Sequence, residues 1–175
     1  MDDKSGPIVA TLFRATSSEI ERLRRDTRLA LAMDPRGPLA DGRAIDLGRR
    51  WEELGCLLDG GIATPEAGPV VGDEPIPCND KQQAWSYVSP ERVAAIATEL
   101  ARINRGAFMR LYRVEEDDTA DDIPEARTGA WGDGGQYLYD RFLQLRAHYE
   151  AAAQHGEGML VRIGERTDGG PLSKR

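Results

Sequence analysis

Histidine, lysine and cysteine are scarce in this chain. Its 175 residues include two histidines (His148, His155), three lysines (Lys4, Lys81, Lys174) and two cysteines (Cys56, Cys78). The histidines are seven residues apart, about 10 Å along a helix and too far to share one ion. There is no CxxC or HExxH pairing, so no metal site is expected. Ser17, Ser18, Ser86 and Ser89 lack a GxSxG setting, which argues against a Ser-His-Asp nucleophile. Phosphate-cradling GxGxxG and GxxxxGK[ST] patterns are missing too, although Gly129, Gly132, Gly134 and Gly135 precede a helical stretch. No cofactor is therefore expected. No apolar run approaches the roughly 20 residues that cross a bilayer, and residues 1–6 have no apolar core of a secretory leader. The expectation is a cytoplasmic protein with two reduced thiols.

Acidic residues number 30 against 23 basic, a net charge of -7. That excludes a general nucleic-acid binder, which must neutralise phosphates. The acidity is concentrated in the middle: residues 51–100 carry nine acids and two bases. The run EEDDTADD, 115–122, has six acids in eight residues and is expected to be an exposed loop. It does not fit a calcium loop, because Thr119 and Asp122 occupy the positions of a ligand and of the invariant glycine.

Hydrophobic residues make up 40% and mean hydropathy is -0.52, as in a folded, water-soluble domain. Ile8 to Arg14 reads as a mostly buried strand. A helix follows, with Ser18 and Glu21 in capping-box spacing, and is expected to reach Met33. Asp46 is expected to cap a second helix with Leu47, Trp51, Leu54 and Leu58 on one stripe, stopped by Gly60-Gly61. The segment 62–83, with Pro65, Pro69, Pro75 and Pro77, reads as irregular, with Val70-Val71 briefly extended. Ala84 to Val88 is a short strand, and Ser89-Pro90-Glu91 opens a helix striped by Val93, Ile96, Leu100 and Ile103. One or two further turns carry Phe108 and Leu111. A long helix covers about 136–154, a strand covers 159–163, and 167–175 is a flexible tail. The sum is one α+β domain over 1–166, with about three strands packed against four or five helices.

Five segments in order resemble the YfbM-like proteins, a bacterial family described as a domain of unknown function. They are FRATSSEIERL, IDLGRRWEELGCLLDGG, VVGDEPI, AWSYVSPERVAAIATELARI, and IPEARTGAW followed by FLQLRAHYEAAAQHGEGMLVRI. The resemblance covers Phe13 to Ile163 and is most specific in the last segment. It implies a compact α+β cytoplasmic domain and no particular activity. Where relatives carry a histidine and an aromatic after the second-helix tryptophan, this chain has Gly55-Cys56.

The aromatic set offers the candidate surface: Trp51, Trp85, Tyr87 and Trp131, with Asp46, Arg50 and Asp133 as polar neighbours. Such a combination serves an ordinary core, a protein-binding surface or a pocket. Without a catalytic motif, the favoured reading is a non-enzymatic protein-binding module that restrains or neutralises a partner. The alternative is a small-ligand-binding protein or enzyme with a pocket around Asp46, Arg50, Trp131 and Asp133. A protein partner is expected, nucleic acid and membrane are not, and the chain itself is expected to be a monomer or a weak homodimer.

Overall fold

β1 (Ile8–Ala15) is apolar at almost every position because it is covered on both faces. Ala10 and Leu12 point into the larger of two hydrophobic clusters, and Phe13 and Ala15 into the smaller. The computed structural model describes residues 7–26, 41–59, 68–77, 83–118 and 133–165, the side chains of 83, 113–118 and 133 excepted. Within them, β1, β2 (Ala44–Asp46), β3 (Glu74–Ile76), β4 (Gln83–Val88) and β5 (Gly158–Glu165) form one antiparallel sheet in the order β2-β1-β5-β4-β3. The final strand lies at its centre, paired with β1 from Ile8↔Glu165 to Ala15↔Gly158. The expected α+β class holds, with five strands instead of three. The two missed strands are three-residue edges, one containing Pro75, too short for a periodic pattern.

α1 (Ser17–Arg25) covers the smaller face through Ile20 and Leu23. Its capping box is Thr16 with Glu19, one register earlier than Ser18 with Glu21. The Thr16 amide donates to Glu19 at 2.8 Å and the Glu19 amide to Thr16 Oγ1 at 3.3 Å. The helix does not run on unbroken to Met33: Asp26 is already in an extended conformation, and 27–33 lie outside the described residues.

Four helices cover the larger face: α2 (Trp51–Asp59), α3 (Pro90–Arg102), α4 (Arg105–Asp118) and α5 (Asp133–His155). α3 starts as expected, with Ser89 Oγ accepting from the Arg92 amide and Pro90 at the first position. α5 buries Leu138, Phe142, Leu145, Tyr149 and Ala152 along one stripe against α3 and the sheet. Burying each large side chain of this kind is worth about 1.5–3 kcal/mol. α4 reaches Asp118, so residues 115–118 are helical rather than loop. Its first turns are anchored by Phe108, which is fully buried against Phe142 at 5.0 Å between ring centres, and a formed helix extends at little cost.

Asp46 does not cap α2. It ends β2, and the helix begins five residues later. Val70 and Val71 lie in a turn: Val70 is buried in the core and Val71 is 46% exposed. The Pro69 carbonyl of that turn accepts from Tyr149 Oη at 2.8 Å, and Ser86 Oγ donates to the Val71 carbonyl. Cys56, which apolar neighbours in the sequence would place in the core, is exposed on α2. Cys78, Gly60-Gly61, Trp131, residues 119–122 and the tail 167–175 lie outside the described residues. Among the described residues no helix is long and apolar enough to cross a membrane.

Candidate functional site

The connection from β2 to α2 folds onto the first turns of α5. Asp46 Oδ1 accepts from the Gly48 amide at 2.7 Å, a tight turn of the kind aspartate favours. Gly48 has φ +75 and lies against the Tyr137 hydroxyl, a conformation and a gap that only glycine suits. Arg50 then reaches α5. Its Nε donates to Glu53 at 2.8 Å, its Nη2 also bonds Glu53, and its Nη1 donates to the Gly134 carbonyl at 3.1 Å. The Glu53 hydrogen bond holds the Arg50 pKa above its ordinary value despite partial burial, with Tyr112 adding to the effect. From the other side, Arg141 Nη1 donates to the Asp46 carbonyl at 3.1 Å, and its guanidinium lies over the Tyr137 ring at 5.0 Å.

Asp46 and Arg50 therefore both reach the first turns of α5, and Trp51 follows Arg50 as the first residue of α2. Trp131 and the Asp133 side chain lie outside the described residues, but Gly134 shows that this end of α5 faces Arg50. Around them is a partly exposed belt of Trp51, Tyr112, Tyr137 and Tyr139 packed on the larger core. Arg105 lies over the Tyr139 ring at 5.8 Å. Sequence reasoning missed the three tyrosines, although Tyr137 and Arg141 stand at helical spacing.

Trp85 and Tyr87 belong elsewhere. They point to the smaller face of the sheet and are 3% and 7% exposed. Trp85 stacks on Phe13 at 5.7 Å, and Arg24 lies over Tyr87 at 5.4 Å. Burial pushes the Tyr87 phenol up. These two are core side chains separated from Arg50 by the sheet, and they offer no surface to share with it.

A second polar group sits where β1 ends and β5 begins. Arg14 Nε lies 3.3 Å from Glu157 Oε2, with side chains 16% and 13% exposed. Arg43 Nη2 donates to the Arg14 carbonyl at 3.0 Å and to Glu19 at 2.7 Å. Burial raises the Glu19 carboxyl, but the bonds from Arg43 and Thr16 outweigh it and hold the pKa below the ordinary value. His148, on the buried stripe of α5 beside Leu145 and Tyr149, is 5% exposed. Burial, and then the Arg14 charge, bring its pKa down to about 4, partly offset by a bond with the Leu12 backbone. His148 is thus neutral at pH 7. The signal for it in the sequence was a histidine three residues after Leu145 on an apolar stripe. His155 bonds the Ala151 carbonyl at 2.7 Å, at the helix C-terminus. Among the described residues no group of three or more His, Cys, Asp and Glu is placed to hold a metal ion.

The fold places the chain among α+β domains built on an antiparallel sheet with most helices on one face. Residues 7–162 match the family model described as "Domain of unknown function (DUF1877)", and the chain belongs to that family. Its structure is similar to the crystal structure of YfbM, a protein of unknown function from Escherichia coli. The TM-score is 0.59 at 16% identity, over 89% of this chain and 99% of that one. At that identity the likeness establishes the fold alone. No curated protein matches.

Proposed function

We propose that this chain is a non-enzymatic protein-binding module of the cytoplasm that restrains or neutralises its partner. The partner-facing surface is the belt around the start of α5. One observation carries the reading: Trp51, Tyr112, Tyr137 and Tyr139 are all partly exposed on α2, α4 and the first turns of α5, with Arg105 over Tyr139 and Arg141 over Tyr137. Tryptophan, tyrosine and arginine are the residues that dominate binding energy at protein interfaces. They are held here by the fold, so little ordering entropy is lost on docking. The ligand-pocket alternative around Asp46 and Arg50 is less favoured. All three Arg50 nitrogens are engaged within the chain, and the Asp46 carboxylate is bonded to the Gly48 amide.

The test is gentle purification of the tagged chain from its own cells, followed by native mass spectrometry. The expected result is a stoichiometric protein partner that is lost when Arg105, exposed on α4, becomes glutamate (Arg105→Glu) in a chain that still folds. A retained small molecule in place of a protein contradicts the reading. So does a partner retained undiminished by the variant.

A further inference from the structure

A net charge of -7 by itself favours a basic partner. The corner where α3 turns into α4 has the opposite sign. Between Glu99 and Glu115 the sequence holds Arg102, Arg105, Arg110 and Arg113 and no acid. Arg102, Arg105 and Arg110 are exposed, and the first two flank the turn Ile103-Asn104. Arg110 Nη1 comes back toward Gly106, 3.8 Å from where a Cβ on that glycine would stand. α5 adds one more arginine. Arg146 lies over the Phe142 ring at 5.7 Å, and its Nη1 is 3.5 Å from the Ile103 carbonyl oxygen. Arg105 lies over the Tyr139 ring at 5.8 Å, and Tyr139 in turn meets Phe108 at 5.3 Å and Phe142 at 6.0 Å. Four guanidinium groups are thus gathered on one turn of chain and one aromatic cluster.

Acids are fewer here. Glu99 pairs with Arg102 at 2.7 Å and Glu150 with Arg146 at 3.7 Å. Asp140, next to Tyr139 in sequence, accepts from Gln136 at 2.8 Å. The helix itself gains nothing from this arrangement. The N-terminal end of a helix is its positive end and favours acids, yet the first turn of α4 has none and begins with Arg105. A local rule broken in this way is what a binding role explains.

We propose that the partner presents a carboxylate-rich surface to this corner, with its acids on Arg105 and Arg110 and its apolar groups on Tyr139. The inference rests on the belt being a partner surface and names the chemistry of that partner. The guanidinium fork matches a carboxylate, and an arginine already laid on a ring loses little rotamer freedom on docking. A local positive potential steers an acidic partner to this end of a chain that is otherwise acidic.

The test uses the complex captured with the tagged chain. The chain has no lysine between residues 82 and 173, so Arg110→Lys adds an amine at the corner and keeps the charge. A zero-length carbodiimide then joins that amine to a neighbouring carboxylate, and peptide mass spectrometry reads the join. The expected product links position 110 to an aspartate or glutamate of the partner. In stopped-flow association at low salt, Arg110→Glu slows binding about tenfold, and the difference shrinks as salt is raised. Arg25→Glu, an equal change of charge at an exposed position of α1 across the sheet, leaves the rate within about twofold. A captured protein with no cross-link at position 110 overturns this proposal and leaves the belt standing as a partner surface. Equal slowing by the two charge reversals does the same. No captured protein overturns both.

Discussion

At its N-terminal end α5 meets Arg50, whose three nitrogens each reach an acceptor and whose partner Glu53 has a half-exposed side chain. At its C-terminal end the same helix packs His148 near Arg14, which pairs with Glu157 at 3.3 Å between two largely buried side chains. The first arrangement leaves aromatic side chains partly exposed at the surface. The second keeps charge inside, where every atom matters more because little water screens it. One helix thus joins a partly exposed aromatic surface to a buried charged corner.

The sharpest way to break this comparison is to remove one arginine from each end. Arg14→Leu leaves Glu157 buried without its cation and is expected to cost about 3–5 kcal/mol in urea unfolding. Arg50→Leu breaks a more exposed pair and should cost about 1 kcal/mol or less. Equal losses would erase the distinction.

The next effect is a pH dependence belonging to one end only. His148 has a folded pKa of about 4 against an ordinary 6.5, so the unfolded chain binds the proton first as pH falls. Its contribution to stability is complete above pH 6.5 and declines between 6.5 and about 4. The loss is on the order of 3 kcal/mol across that window. His148→Gln should flatten the stability profile there. A wild-type profile already flat between those pH values would show that His148 is not held neutral.

A further, smaller effect lies between the two ends. Tyr149 is fully buried, and its hydroxyl donates to the Pro69 carbonyl at 2.8 Å. Tyr149→Phe keeps the ring and strands the carbonyl, an expected loss of about 1–2 kcal/mol by urea unfolding. A neutral result would mean that the Pro69 turn finds another donor.

Much of the scaffold was legible because its stripes are long. Val93, Ile96 and Leu100 on α3, and Leu138, Phe142 and Leu145 on α5, recur at helical spacing and are buried as that spacing implies. Ser89-Pro90 announced a helix start that the backbone adopts. β2 and β3 were not legible, since three residues carry no period. α4 was read too short because four consecutive acids argue against compact structure locally, while packing of its first turns on α5 sustains the helix.

The candidate sites were legible in part for a similar reason. Asp46, Arg50 and Trp51 are close in sequence and remain close in space. Trp85 and Tyr87 lie on the same strand face, but nothing in the sequence said that this face turns away from Arg50. The corner of Arg14, Arg43, His148 and Glu157 draws on residues more than a hundred positions apart, and only the pairing of β1 with β5 brings them together.

Hydrogen exchange of the chain alone and in its captured complex tests the central claim most directly. The account predicts new protection in residues 105–112 and 134–141, with β1 and β5 unchanged. Protection along the sheet edges, or none in α4 and the first turns of α5, would contradict it.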